Sequence, residues 1–163
     1  MDTIPVKTSD DIKQLSALAE EIWNEAFSVL LTQGQIKYML NKFLSENAIG
    51  ESTKEGYEYY YLSDCDRIIG FTAVCPKDDG SLFLSKLYLK KEERGKGYLK
   101  EVFDFLKNLS KEKKLNRIWL TVNKQNHRAI AGYKKMGMYI IRSEVTDIGE
   151  GYVMDDYVFS IDV

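Results

Sequence analysis

The segment EERGKGYLKEVFDFL, residues 92–106, joins a glycine-rich basic turn directly to an apolar stripe at helical spacing. The alternating run SLFLSKLYL before it, residues 81–89, is typical of a strand. Helices usually begin with Ser, Thr, Asp or Asn and carry acidic residues in their first turn. Because the free N–H groups and the dipole at a helix start attract negative charge, this segment predicts a strand, a turn and a helix that bind an anion.

Two well-known phosphate-binding patterns are absent from the chain. A P-loop requires GxxxxGK[ST], and a dinucleotide-binding fold requires GxGxxG in an early βαβ unit. The turn instead offers Gly95 and Gly97, which let the backbone approach phosphate oxygens closely, and Arg94 and Lys96, which supply formal positive charge. Glycines at helix starts are common, so the turn alone does not identify a function.

Apolar spacing predicts the order of elements along the rest of the chain. A first strand at residues 3–8 precedes two helices at 9–27 and 33–44 and a short helical turn at 45–53. Strands follow at 57–63, 68–74 and 81–89, and then a helix at about 98–113, a strand at 116–122, a helix at 126–137, and strands at 138–145 and 152–161. No linker or repeat interrupts this order, so we expect one α+β domain over residues 1–163, with helices packed on a sheet.

Charge is distributed unevenly along a chain whose net charge is only −2, so the overall charge does not indicate a nucleic-acid partner. Residues 86–117 carry eleven Lys and Arg against five Asp and Glu, whereas residues 144–163 carry six acids and no Lys or Arg. Solvated faces explain both segments. The alternative is a pair of sites, one for an anion and one for a cation.

Several classes of protein are disfavoured by the motifs. Cys65 and Cys75 lack CxxC spacing, so neither a disulfide framework nor a zinc site is expected, and Cys75 is predicted to be a small buried residue. His127 is the single histidine and lies in no HExxH pattern, so we expect no metal. The N-terminus has no apolar signal segment and no run approaches 18 apolar residues, which favours a cytoplasmic protein without a membrane partner.

A second segment, NHRAIAGYKKMGM at residues 126–138, adds to the glycine-rich turn. Together the two resemble the GNAT acyltransferase superfamily, whose cofactor loop reads (Arg/Gln)-x-x-Gly-x-(Gly/Ala). The first four positions of that loop are matched in Arg94-Gly95-Lys96-Gly97-Tyr98-Leu99. The later signature is matched by Asn126, Ala129, Tyr133 and Gly137, with Met138 in place of Phe. Residues 57–140 carry most of the resemblance.

The resemblance implies a mixed, mostly antiparallel sheet of six to seven strands flanked by about four helices. It implies acetyl-CoA as co-substrate without a metal, held by Leu87, Tyr88, Leu89, Arg94, Gly95, Lys96, Gly97, Tyr98, Leu99, Lys100 and Asn126. The backbone N–H groups of the first three would polarise the thioester, while those of residues 95–100 would bind the diphosphate. Leu99 departs from the small residue of the pattern, and we expect it to pack inward on the face of Phe103 and Leu106.

The resemblance implies a residue for the general acid but none for the general base. The resemblance implies that Tyr133 protonates the leaving thiolate, although an aromatic residue at this helical spacing is equally typical of a core. No carboxylate occurs in the stretch Leu84-Ser85-Lys86, where many relatives carry a Glu that acts as general base. Acidic candidates for a base, or for holding a cationic amine, are Glu150, Asp155 and Asp156, with Glu25 and Tyr61 as weaker options.

The sequence therefore favours a bacterial, acetyl-CoA-dependent N-acetyltransferase that acts on a primary amine by direct attack in a ternary complex. The acidic C-terminal region favours a small cationic acceptor, such as a polyamine, over an aminoglycoside or a protein amino group. Two alternatives remain open: a catalytically weak acyl-CoA-binding or sensory module, and a non-enzymatic anion-binding domain. Homodimers are common in the superfamily, so a homodimer is also an expectation.

Overall fold

The computed structural model describes all residues from Met1 to Val163. Its strands are β1 (Asp2–Pro5), β2 (Glu58–Asp64), β3 (Arg67–Pro76), β4 (Ser81–Leu89), β5 (Arg117–Asn123), β6 (Tyr139–Gly149) and β7 (Tyr152–Asp162). Its helices are α1 (Ser9–Phe27), α2 (Gln33–Leu44), α3 (Glu46–Lys54), α4 (Tyr98–Glu112) and α5 (His127–Lys135), with a short 3-10 helix at Lys91–Glu93. Each predicted element is present, and α3 is a helix of nine residues where only a turn was expected.

The strands form one sheet in the order β1-β2-β3-β4-β5-β7-β6. The β1/β2, β2/β3, β5/β7 and β6/β7 pairs are antiparallel, and β4 pairs with β5 in parallel. The predicted α+β fold with a mostly antiparallel sheet is therefore confirmed, with five α-helices instead of about four. The extra helix follows from Ser45, whose hydroxyl caps the start of α3, and from Ile49, which is fully buried.

The chain divides into two compact units. Unit one comprises Met1–Cys75 and Lys86–Tyr98, and unit two comprises Pro76–Ser85 and Leu99–Val163. The boundary falls within β4, whose first residues belong to unit two and whose last residues belong to unit one. The single domain expected over residues 1–163 stays a prediction.

Unit one is organised around α1. The side chain of Thr8 accepts from the N–H of Asp11, and the Asp11 carboxylate accepts from the N–H of Thr8, which completes a capping box. The apolar stripe of the helix is buried over its whole length, at Leu15, Leu18, Ala19, Ile22, Trp23 and Phe27. At its C-terminal end, Trp23 and Phe27 meet the ring of Tyr88 from β4 at centroid distances of 5.6 and 5.8 Å. These contacts fix the end of β4 against α1.

Unit two is built on α4 and the alternating strands β5 and β7. The buried face of α4 contains Val102, Phe103, Leu106 and Leu109, as the helical spacing predicts. Along β5, Ile118, Leu120 and Val122 are buried and the residues between them are more exposed. On the sequence evidence β6 was expected to end at residue 145, but its ladder with β7 continues to Gly149 because polar residues pair there as well. A strand continued by polar residues shows no apolar alternation in the sequence, so its end could not be predicted.

Close approach of two strands in unit one depends on Gly70. A Cβ placed on this residue would lie 2.2 Å from the carbonyl oxygen of Tyr88 and 3.0 Å from the Cα of Leu89. Both contacts are with backbone, which cannot move aside without disturbing β4. The end of β4 therefore lies tightly against β3.

Replacement of Gly70 by Ala is expected to destabilise the protein by more than about 2 kcal/mol, because the new methyl group overlaps the β4 backbone. Chemical denaturation measures this free energy of unfolding. Gly50→Ala is the matched control: Gly50 lies in α3 with nothing within 4 Å of a new Cβ. There the gain in helix propensity should stabilise by roughly 0.5–1 kcal/mol. Equal effects of the two variants would contradict the prediction.

Candidate functional site

The glycine-rich turn presents a row of backbone donors. Gly95 and Gly97 have φ values of +77° and +91°, in the left-handed region that favours glycine. The backbone N–H groups of residues 95–100 donate no hydrogen bond within the protein. Since they stand at the start of a helix of 15 residues, both the open N–H groups and the helix dipole favour an anion at this turn.

The cationic side chains of the turn are already paired with carboxylates. Arg94 donates from Nε to the carbonyl of Leu89 at 3.1 Å, and its guanidinium lies 3.3 Å from the carboxylate of Glu25. Lys96 Nζ lies 2.9 Å from the carboxylate of Glu93. The sequence offered Arg94 and Lys96 as formal charge for an anion; the structure shows that their charges also hold the turn in place. The pairing of Glu25 makes it an anchor for Arg94.

Glu93 is the buried centre of this arrangement. Its carboxylate is 3% exposed and accepts from Lys96 and, at 3.2 Å, from Arg67 at the start of β3. The hydrogen bond from Lys96 and the two positive charges lower the pKa of Glu93, so the carboxylate stays ionised. Close by, the Tyr98 hydroxyl donates to Asp64 at the end of β2 at 2.8 Å, and this bond raises the pKa of Tyr98 to about 12.

The ladder between β4 and β5 is short. It pairs Ser81, Leu82 and Phe83 with Arg117, Ile118 and Trp119. Both strands continue after the ladder has ended, β4 to Leu89 and β5 to Asn123. The predicted thioester-binding residues Leu87, Tyr88 and Leu89 lie in that later part of β4.

Leu99, which departs from the pattern of the loop, packs against a glycine. A Cβ placed on Gly132 of α5 would lie only 2.9 Å from Cδ2 of Leu99. The space for the larger residue therefore comes from the helix that it meets. Sequence reasoning missed Gly132. A glycine in the middle of the helical segment HRAIAGYKK is unfavourable for the helix, and this could have indicated a packing role.

Tyr133 and Asn126 lie on α5 in unit two. The ring of Tyr133 is 6.3 Å from that of Phe103 and 6.1 Å from that of Phe159. Burial raises the pKa of Tyr133 to about 12, so its phenol keeps its proton at neutral pH. Asn126 caps the helix, accepting from the N–H of Ala129 at 3.2 Å. The aromatic contacts and the cap fix the orientation of both side chains.

The three acidic candidates lie in very different surroundings. Glu150 is exposed in the turn between β6 and β7. Asp155 forms an ion pair with Lys124 at 2.7 Å. Asp156 is only 6% exposed, and its carboxylate has no hydrogen-bond or ion-pair partner. Adjacent positions differ this much because successive residues of β7 point to opposite faces of the sheet.

Electrostatics around Asp156 favour a proton or another cation. Burial raises the pKa of Asp156 to about 6, the carboxylates of Asp155 and Glu144 act in the same direction, and Lys124 opposes them. Asp156 pairs in register with Asn123 on one side and Glu144 on the other. A buried carboxylate without a partner is costly, and an ammonium group would relieve that cost.

Two further residues take positions that sequence reasoning did not foresee. In the sequence, Lys86 was noted only because the stretch Leu84-Ser85-Lys86 lacks the general-base Glu of many relatives. Its Nζ lies 5.8 and 5.7 Å from the ring centroids of Tyr57 and Tyr59, and burial lowers its pKa to about 8. The hydroxyl of Tyr61, a weaker candidate base, donates to the backbone carbonyl of Asp11 and is committed to α1.

Comparison with known families agrees with this geometry. The model of the acetyltransferase (GNAT) family matches residues 16–138, more than half of the chain. The chain belongs to this family. It is therefore an acyltransferase that uses acetyl-CoA to acetylate an amine. That activity requires a bound diphosphate, which the open N–H groups at residues 95–100 suit.

Individual relatives are distant in sequence. An uncharacterized N-acetyltransferase from the pepI 3′ region of Lactobacillus delbrueckii subsp. lactis is 22% identical over 86% of each chain. Among solved structures, the PaiA N-acetyltransferase of Thermoplasma acidophilum, in complex with coenzyme A, is 20% identical over 100% of each chain, with a TM-score of 0.79. A ribosomal-protein-alanine N-acetyltransferase of Brucella melitensis is 13% identical over 100% of each chain, with a TM-score of 0.67. These two structures share the fold.

None of the helices is long and apolar enough to cross a membrane. No group of three or more His, Cys, Asp and Glu side chains is placed to hold a metal ion. Cys65 is exposed and Cys75 is buried, and both are free thiols.

Replacement of Asp156 by Asn is expected to stabilise the protein at pH 8 and to lose that advantage towards pH 4. The pKa of Asp156 is raised from 3.8 to about 6, so the folded state binds more protons than the unfolded state between these values. Its stability therefore falls as pH rises through this window, and the full penalty is present above pH 6. Removing the charge should raise Tm by roughly 2–4 °C at pH 8, the shift that about 1 kcal/mol produces in a chain of this size.

Differential scanning calorimetry at both pH values measures this difference. Asp162→Asn, at an exposed acid on the same strand, is the control and should leave Tm unchanged. A lower Tm for Asp156→Asn at pH 8 would show that the carboxylate has a stabilising partner.

Proposed function

We propose that the chain transfers the acetyl group of acetyl-CoA to the primary amine of a small cationic molecule such as a polyamine. The observation that carries the proposal is Asp156, a buried carboxylate without a partner. An ammonium group of the acceptor would supply the missing positive charge. The exposed carboxylate of Glu150 and that of Asp155, which Lys124 partly neutralises, add negative potential that attracts a molecule with several amines.

Acetyl-CoA binding is assigned mainly to the backbone. The N–H groups of residues 95–100 bind the diphosphate, and Arg94 keeps its contact with Glu25 while adding positive potential. Lys96 is half exposed, so its amine is accessible to a phosphate oxygen. Leu87, Tyr88 and Leu89 present their backbone to the acetyl and pantetheine groups, and the amide of Asn126 binds the pantetheine arm. The crystallised relative that contains coenzyme A supports this choice of co-substrate.

The chemistry is direct attack in a ternary complex. The acceptor ammonium gives a proton to the carboxylate of Asp156, and the neutral amine then attacks the thioester carbonyl. The new C–N bond forms, the attacking nitrogen loses its second proton to solvent, the C–S bond breaks, and Tyr133 gives its proton to the leaving thiolate. Solvent takes the proton from Asp156 and returns one to Tyr133. An acyl-enzyme is not required, because the amine itself attacks the thioester and no residue is assigned as a nucleophile.

The same comparisons support a setting for the reaction. The curated relative is bacterial, which supports a bacterial enzyme that works in the cytoplasm on a small-molecule amine. The alternative acceptor is the N-terminal amine of a protein, the class named for the relative from Brucella melitensis. The buried position of Asp156 favours the smaller acceptor.

Replacement of Gly97 by Glu is expected to weaken acetyl-CoA binding by at least about a hundredfold, because it places bulk and negative charge at the diphosphate. Isothermal titration calorimetry measures the Kd. Gly151→Glu is the matched control, since Gly151 also has positive φ and open space around a new Cβ. It should bind acetyl-CoA like the unmodified protein. Tight binding of acetyl-CoA by the Gly97→Glu variant would show that the turn does not bind the diphosphate.

Replacement of Tyr133 by Phe is expected to lower kcat by about a hundredfold, the usual contribution of a general acid, while acetyl-CoA affinity is kept. Thiol release from acetyl-CoA measures the rate, and calorimetry measures the affinity. The ring contacts with Phe103 and Phe159 are retained in this variant, so the fold should be unchanged. Unchanged kinetics would exclude Tyr133 from proton transfer.

The same thiol-release assay decides the class of acceptor. Polyamines, aminoglycosides, amino acids and peptides are compared at equal amine concentration, and polyamines should give the highest kcat/KM. Below pH 6 their KM should rise, because protonation of Asp156 removes the charge that binds them. Higher kcat/KM for peptides than for polyamines would contradict a polyamine acceptor and indicate a protein acceptor. Acetyl-CoA binding without thiol release on any acceptor would indicate a binding module.

A further inference from the structure

The two ends of the sheet differ in how they are protected. β1 at one end has four residues and closes with Pro5, which removes a hydrogen-bond donor. β6 at the other end has 11 residues and contains neither Lys nor Pro. Long edges without these residues leave a row of backbone groups that another strand can pair with. The β6 edge is protected only by Arg142, Glu144 and Asp147 and by two ladder irregularities, and the stretch between these irregularities is regular.

The side chains of β6 are exposed and apolar to an unusual degree. Tyr139, Ile140, Ile141 and Val145 are 50%, 41%, 41% and 70% exposed. Single exposed apolar residues are ordinary, but four on one open edge strand are typical of a surface that meets another protein. The strand therefore combines backbone groups available for pairing with apolar side chains beside them.

The sequence of β6 is complementary to itself about Ser143. In an antiparallel pair, opposite side chains share a face, so two copies related by a two-fold axis must place one residue opposite itself. With Ser143 at that position, Arg142 lies opposite Glu144 of the second copy, and Ile141 lies opposite Val145 of the second copy. The pairing thus sets opposite charges together twice and apolar side chains together twice.

Neighbouring registers are electrostatically unfavourable. Centring the pair on Glu144 sets two carboxylates opposite each other, and centring it on Arg142 does the same with two guanidinium groups. Irregularities in the ladder with β7 lie at Ile140/Arg142 and at Asp147/Gly149, so the regular stretch between them includes Ser143. Charge therefore selects the register centred on Ser143.

We propose that β6 is the interface of a homodimer, in which two copies pair antiparallel about Ser143 and their sheets become continuous. In each chain Arg142 already forms an ion pair with Glu144 at 2.7 Å, so both charged groups are ordered on the edge before pairing. The interface uses unit two alone and takes no residue assigned to acetyl-CoA or to the amine.

Sedimentation velocity over a concentration series tests the interface. The unmodified protein should be dimeric at micromolar concentration, and Val145→Lys should weaken the dimer at least about tenfold, because it places charge in an apolar pair. Val29→Lys is the matched control: Val29 is 91% exposed but lies outside β6, and the variant should remain dimeric. A monomer at every concentration, or a dimer that Val145→Lys does not weaken, would overturn the proposal.

A charge exchange separates register from general destabilisation. Arg142→Glu sets like charges opposite each other and should weaken the dimer, whereas the double variant Arg142→Glu/Glu144→Arg should restore it. Retention of the dimer in the single variant would contradict the register.

Disulfide trapping locates the two-fold axis. In a Cys65→Ser background, Ser143→Cys brings the two new thiols directly opposite each other, within the reach of a disulfide, and mild oxidation should give a covalent dimer. Thr146→Cys is the control, because its two thiols would be about 20 Å apart along the strand. Equal cross-linking of both variants would place the interface elsewhere. None of these readouts depends on acetyl transfer, so they stand apart from the test of the proposed function.

Discussion

One buried ion cluster holds the glycine-rich turn at residues 94–97 in place. Glu93 is almost inaccessible to water, and a buried carboxylate is tolerated only when cations satisfy it. Arg67 and Lys96 do so, and they tie the start of β3 to the turn between the two left-handed glycines. The N–H groups of residues 95–100 have no hydrogen-bond partners within the protein. In the proposed function, acetyl-CoA recognition depends on this preorganisation more than on any single positive side chain.

Adaptation between helices accounts for the departure at Leu99. The pattern of the superfamily has a small residue at this position, and this chain has a large one. Gly132 on α5 provides the space instead. A large residue at position 99 fits here because position 132 is a glycine, so the sizes of the two residues are coupled by packing.

Periodicity was enough to predict the fold, and less than enough to predict the site. The apolar stripe of α4 is a local pattern, and the structure confirms it. The surroundings of Asp155 and Asp156 could not be read in the same way, because two adjacent acids look alike until the register of β7 is known. The carboxylate partners of Arg94 and Lys96 were equally hidden, and Glu25 lies far away in the chain. Motifs singled out the glycine-rich turn because its conformation is local, whereas charge pairing depends on tertiary structure.

The proposed diphosphate site is made of main-chain amides, and this has a consequence for how the sequence can change. A substitution exchanges the side chain and leaves the backbone N–H in place, unless the new residue is proline. Most substitutions in residues 98–100 therefore leave the hydrogen-bond donors of the turn unchanged. Under that proposal, Gly95 and Gly97 are expected to tolerate fewer substitutions than residues 98–100. Lineages can drift to about one fifth identity and still share one architecture, as the comparison with the Thermoplasma acidophilum protein illustrates.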